Sequence, residues 1–283
     1  MSSGQKVIKI LALILAGFII VNIFSAIIWG LAAFSGFMYV SEHHDNVNSE
    51  ALGELQEEVI KNIENLNGSV KIKIDLGTYH LEMKKGSKLS VETNSEAERL
   101  TCMVRGNTLE LKEKNRSWFG RVTEGMETVV IYIPENITLA ELDIEMGVGK
   151  ATIQDIDVKD LDIDAGAGKM LLSNVTAQRA DVDGGAGSFE TENCNFNDLD
   201  LDCGVGVTKI SGNITGNSKI SCGVGRTEIN LVGKAEDYTI RTETGLGGMM
   251  LNGEKCSDNA RYGNGESKIE VEAGVGSVEI TTK

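Results

Sequence analysis

Apolar and polar residues alternate along most of this 283-residue chain, and over its second half paired glycines punctuate the alternation. Gly-x-Gly occurs at Gly147/Gly149, Gly166/Gly168, Gly185/Gly187, Gly204/Gly206, Gly223/Gly225, Gly245/Gly247 and Gly274/Gly276. The first five pairs are 19 residues apart, and the last two follow after 22 and 29. A fixed period of this size marks stacked structural repeats.

Aligned on the glycines, the repeats form columns. Five positions before the first glycine stand Leu142, Leu161, Ala180, Leu199, Ser218, Ile240 and Ile269. Three before it stand Ile144, Ile163, Val182, Leu201, Ile220, Thr242 and Val271. Period two continues into the residues between the glycines, Val148, Ala167, Ala186, Val205, Val224, Leu246 and Val275, and predicts that this column also faces a core. Beyond the glycines the parity flips, and the next inward columns run through Met170 and Leu172 in the second repeat. Glycines at a parity flip suit a corner between strands, because they tolerate positive φ and close backbone approach. The prediction is all-β: a parallel β-solenoid over residues 141–283 with about seven Gly-x-Gly coils. Stacked about 4.8 Å apart, seven coils stand roughly 34 Å tall.

The periodicity also disposes of a tempting motif. "MGVGK" and "AGAGK" look like phosphate loops, but a Walker loop needs G-x-x-x-x-G-K-[ST] opening a helix. Here Ala151 follows Lys150 and Met170 follows Lys169, and strand alternation resumes at once. No nucleotide is expected.

Residues 69–140 alternate without the 19-residue ruler and predict an irregular N-terminal β region covering the solenoid's open end. Aromatics cluster there in "NRSWFG", residues 115–120, which is expected to pack over a sheet edge. Residues 41–68 predict an amphipathic helical linker, with Leu52, Leu55, Val59, Ile63 and Leu66 at helical spacing after Ser49 and before Asn67-Gly68. Within residues 1–40, Ile10 to Val40 carries no charge. As a helix that run is about 46 Å long, against a bilayer core of about 30 Å. It predicts a single membrane span behind a short cytoplasmic stub. Lys6 and Lys9 precede it and Glu42 and Asp45 follow, so the N-terminus is expected inside and the C-terminal domain outside the cytoplasmic membrane. A cleaved signal peptide, cut near "AAFSG", is the competing reading, and the apolar run is long for one.

Net charge is −15, which argues against nucleic acid as a partner and against docking on anionic lipid by charge. Catalytic material is sparse. His43 and His44 adjoin the apolar run, and His80 stands on a strand with no acid at motif spacing. No Ser-His-Asp signature, nucleophile elbow or zinc-ligand spacing occurs, so neither catalysis, cofactor nor dedicated metal site is expected. Cys203 and Cys222 share a column one coil apart, near enough for a disulfide by distance, though a narrow buried column of small side chains explains them equally. Two outward columns are acidic: Asp143, Asp162, Asp181, Asp200 and Glu145, Asp164, Asp183, Asp202. They read as a solvated face that keeps the sheet soluble; calcium between rungs is the sharper alternative.

With "TVVIYIPENITLAELDIEMGVGKATI" followed by units such as "LDIDAGAGKMLLSNV" behind a membrane helix, the chain resembles the bacterial toast-rack adhesin domains of unknown function over about residues 69–283. The resemblance implies a β-solenoid on the outer face of the cytoplasmic membrane and carries over no catalytic residue. It points to a non-enzymatic, membrane-anchored adhesin or envelope-binding scaffold, whose partner is an envelope polymer or protein. The alternatives are an accessory regulator of envelope-stress signalling and, last, a polysaccharide-processing β-helix enzyme. An enzyme of that kind needs an acid and a base set apart by environment, whereas these acids form uniform rows.

Overall fold

The computed structural model describes residues 53–54, 69–95, 99–114 and 126–283. Glu50–Lys283 forms one compact unit with its own core. Among the described residues no helix is long and apolar enough to cross a membrane; the 10–40 run lies outside them.

The unit is one continuous sheet wound into a coil stack. In chain order its strands are β1 (Gly53–Glu54), β2 (Lys71–Gly86), β3 (Ser90–Thr93), β4 (Leu100–Arg105), β5 (Thr108–Glu113), β6 (Glu127–Pro134), β7 (Thr138–Gln154), β8 (Asp157–Ser173), β9 (Thr176–Glu192) and β10 (Cys194–Asn197). They continue as β11 (Leu199–Thr215), β12 (Asn217–Leu231), β13 (Tyr238–Leu251), β14 (Glu254–Lys255), β15 (Ala260–Gly263) and β16 (Ser267–Thr282). The long strands each pass through a glycine corner and pair in parallel with the strand of the next coil, rung on rung. Leu142, Leu161, Ala180 and Leu199 stack in register, and so do Ile144, Ile163, Val182 and Leu201. All eight are buried, as are Met170 and Leu172 beyond the corner. The two limbs of each rung therefore close on one apolar core.

The glycine pair is needed because the rungs touch through backbone. A Cβ built on Gly187 would stand 1.9 Å from the Gly168 carbonyl oxygen, and one on Gly206 1.8 Å from that of Gly187. Both residues also have φ near the edge of the glycine-only region, at +143° and +150°. The far turn of the rung uses another column at the same 19-residue step. Asp155, Asn174 and Asn193 have φ of 58°, 53° and 57°, a conformation these short polar residues tolerate. Asn174 Nδ2 donates to Asp155 Oδ1 at 2.8 Å, linking neighbouring turns.

Four features differ from the sequence expectations. The column between the glycines does not face the core. Val224 is 41 %, Val275 47 % and Leu246 75 % exposed, so these side chains form an apolar ridge outside the corner. The inside–outside alternation turns over before this column rather than after it, because the backbone folds at the first glycine.

The second difference is the order of the last rungs. β12 pairs with β16, and β16 pairs with β13, so the final coil of the chain is inserted beneath the one that precedes it. The 22- and 29-residue steps are the signature of this exchange. β13 is laid one rung too far out, and the added length forms β14 and β15 before β16 returns to fill the gap.

Third, the regular stack begins earlier than residue 141. β2 is a full rung on β7, with Ile72, Ile74 and Leu76 opposite Leu142, Ile144 and Met146. Its corner reads Gly77-Thr78-Tyr79. Tyr79 stands where the other corners have their second glycine, and the next layer out is split there, β5 covering Lys71–Asp75 and β6 covering Tyr79–Gly86. The cap proper is the β4–β5 hairpin with β3 and β6. Fourth, Gly53 and Glu54, placed in the helical linker by spacing, pair antiparallel with Thr93 and Glu92. The rest of that linker, and the aromatic stretch 115–120, lie outside the described residues.

Candidate functional site

The first limb of the rungs presents its outward side chains as two acidic rows flanked by hairpin arms. Register aligns Asp143, Asp162, Asp181 and Asp200 in one row, and Glu145, Asp164, Asp183 and Asp202 in the other. The first row is bounded by cations. Lys73 Nζ lies 3.0 Å from Asp143 and 2.9 Å from Glu141, and Lys219 stands opposite Asp200. Between these ends no cation is interleaved in either row, and at 4.8 Å each carboxylate pair repels by about 0.9 kcal/mol even in bulk-water dielectric.

That repulsion reaches the titration of the rows. Desolvation, and then the charges of Asp143 and Asp181, push the Asp162 carboxyl above its ordinary value. Desolvation, then Asp181 and Asp202, do the same for Asp183. The folded state thus holds these protons to higher pH than the unfolded chain, and ionising the rows opposes folding. Stability is expected to rise as pH falls through the raised values and to level off below the ordinary ones. Glu141 has the opposite sign. Hydrogen bonds from Lys71 and Lys73 hold it below its ordinary value, so its contribution is present at neutral pH and lost as pH falls through the depressed value. Urea midpoints across this range should therefore pass through a maximum on the acid side of neutrality. Asp162→Asn with Asp183→Asn should raise the pH 7 midpoint and flatten that rise. A midpoint that falls steadily from pH 7 downward would contradict the assignment. Calcium and a monovalent salt of equal ionic strength are expected to stabilise the rows alike, since a flat sheet face offers an ion few further ligands.

The rung exchange gathers three further acids. Glu243, Glu270 and Glu272 have carboxylate oxygens within 4.8 Å of one another. Lys219 already pairs with Glu272 at 3.1 Å and Arg241 with Glu270 at 3.6 Å, so resident cations supply the charge a metal would.

At each end of the acidic rows an arm rises from the sheet and forms a groove. At the N-terminal end, the β4–β5 hairpin and β2 enclose about 580 Å³ beside Lys73, Lys112 and Asp143. At the C-terminal end, β15 and the exchanged rungs enclose about 810 Å³ beside Asp200, Lys219, Arg241, Arg261, Lys268 and Glu270. Beneath the glycine corner is a third cavity of about 50 Å³, walled by Ala165, Gly184 and Cys203, too small for more than ordered water.

Of the residues weighed for chemistry, His43 and His44 lie outside the described residues and the others are dispersed. His80 sits on β2 opposite Lys150, away from the grooves. Lys169 of the "AGAGK" corner reaches Glu190 at 3.8 Å on the outer face of a strand, not a helix N-terminus. Cys203 and Cys222 are directly opposed in register and both are free thiols, with burial pushing Cys203 up to about 11. Thiols so disfavoured as thiolates are poor nucleophiles. The C-terminal groove escaped the sequence reading. Its one signal is the 29-residue step between the last glycine pairs, which holds the arm.

No curated protein matches this chain. Among solved structures it is similar to a putative cell adhesion protein from Clostridium sporogenes ATCC 15579, at 18 % identity and TM-score 0.39, covering 82 % of this chain and 98 % of that one. It is also similar to a putative adhesin from Bacteroides fragilis NCTC 9343, at 12 % identity and TM-score 0.36, covering 75 % and 94 %. The family assignment rests on sequence instead. The Toastrack DUF4097 model matches residues 69–281, from the edge of β2 into β16, and the chain belongs to that family.

Proposed function

We propose that this protein is a non-enzymatic, membrane-anchored scaffold of the cell envelope that works as an adhesin, binding an envelope polymer or protein outside the cytoplasmic membrane. The observation that carries the reading is the first-limb face, a rigid stack with a groove under an arm at either end. Side chains on stacked rungs are fixed by ladder pairing above and below, which suits binding to an extended partner. The uncharged run from Ile10 to Val40 supports the anchor, and the lysines before it support the orientation. The full chain, purified in detergent, is expected to co-sediment with isolated envelope fragments well above a detergent-matched control protein. Sedimentation no greater than the control would remove the binding role.

An accessory role in envelope-stress signalling is the second reading. It is favoured by the length of the apolar run, which as a helix would span about 46 Å against a bilayer core of about 30 Å and would leave helix surface for a membrane partner. Exchanging residues 1–40 for an unrelated single span separates the two. Envelope binding survives the exchange, whereas signalling through the span does not.

A further inference from the structure

We infer that the C-terminal groove binds an anionic group, carboxylate or phosphate, carried by a linear envelope polymer, with Arg261 and Lys268 as the principal contacts and Arg241 and Lys219 in support. The inference deepens the envelope-binding reading above and rests on it.

The charge arrangement in the groove calls for an anion from outside. Arg241 on β13 and Arg261 on β15 are directly opposite each other in an antiparallel pair. Like charges in that position destabilise a sheet unless something neutralises them. Glu270 lies 3.6 Å from Arg241, and Glu272 takes Lys219 at 3.1 Å. Arg261 and Lys268 have no acidic partner within salt-bridge distance among the described residues, and both are exposed to the groove. What sets these two apart is their place, in one groove beside an arginine that already has its acid.

Geometry narrows the ligand further. Arg261 is held by β15, whose pairing with β13 continues the sheet past the last rung. Its guanidinium presents a planar fork that matches carboxylate and phosphate oxygens, and Lys268 adds a point charge. The row that ends in Lys219 turns acidic at Asp200 and Asp181, so an anionic chain is repelled from running down the stack. It must lie along the strands of one or two rungs, or present an end. At about 810 Å³ the groove takes a few sugar or polyol units and not a folded domain. Asp181, Asp198 and Asp200 also line the groove, so the anion is held on the side of Arg261 and Lys268, and salt screens those acids beyond about 8 Å.

The test uses the full chain in detergent at physiological ionic strength, with two probes in separate arms. Polygalacturonate carries carboxylates and inorganic polyphosphate carries phosphates. Binding of at least one probe is expected, and the arm that binds identifies the group. Arg261→Ala with Lys268→Ala should weaken it about tenfold or more, the loss of one to two charge-assisted contacts. Lys159→Ala, a cation on an exposed position of β8 outside the groove, should leave it unchanged. Circular dichroism of the double variant should match wild type and its urea midpoint should be no lower, because both side chains are exposed and removing Arg261 relieves its repulsion with Arg241. Failure of both probes to bind overturns the inference, as does a double variant or Lys159→Ala that weakens binding to the same degree as the other. Envelope sedimentation of the double variant separates the two levels. Undiminished sedimentation overturns the groove and leaves the scaffold reading standing, whereas no sedimentation by the wild-type chain overturns both.

Discussion

Gly206→Ala is expected to destabilise the solenoid by about 4 kcal/mol or more, enough to unfold a domain of ordinary stability near room temperature. Two costs combine. At φ +150° an L side chain is strained, a penalty of about 1–3 kcal/mol. The new Cβ would also stand 1.8 Å from the Gly187 carbonyl oxygen and 2.8 Å from its carbon. Neither is a flexible side chain that could swing away. The rung must separate from its neighbour, breaking ladder pairing on both sides of the corner. Gly248→Ala is the matched control, one position past a corner glycine, where a Cβ meets nothing within 4 Å. It should change stability by no more than about 0.5 kcal/mol. Urea unfolding of residues 50–283, a self-contained unit, measures both. Equal midpoints for the two variants would mean that the corners do not pack backbone on backbone.

Val271→Asp has a comparable effect but a different reach. Val271 is fully buried between Ile220 and Thr242, and burying a carboxylate there without a partner costs several kcal/mol. Because β13 joins the stack through β16, loosening β16 releases both rungs together. Hydrogen exchange should show protection lost over Tyr238–Leu251 as well as Ser267–Thr282, while β8 and β9 keep theirs. A chain-order stack would behave otherwise, with β13 still held by β12. Protection retained in β13 would therefore refute the exchanged order. Slow β16 docking is a corollary, since its slot lies between strands that precede it in sequence and closes only after β13 has formed.

Much of this architecture was legible before any coordinates. The 19-residue step of the glycines, with apolar columns at five and three residues before them, encodes the rung, its register and its core, because stacked parallel strands must place like residues over like. The Asp155/Asn174/Asn193 column was equally open to reading at the same step, and it marks the far turn. Where the period breaks, sequence reasoning stopped. Local alternation could not show that the backbone turns at the first glycine, so Val224, Val275 and Leu246 were placed inside and stand outside. Nor could the Gly-x-Gly ruler find β2, whose corner carries Tyr79 in the place of the second glycine.

By itself the sequence determined the fold class, the coil and the acidic rows, since each follows from the periodicity of one chain against itself. It also encoded the long uncharged run that sets the membrane expectation. Which rung lies beside which was decided by the tertiary structure alone. β13 and β16 carry the same glycine corner between apolar columns, and pairing with β12 depends on where the intervening arm allows each strand to lie. That choice sets Glu270 between Lys219 and Arg241, brings Arg261 opposite Arg241, and opens the groove beside Lys268. Charges far apart in sequence interact only at contact distances, so the site exists only once the last two rungs have exchanged places.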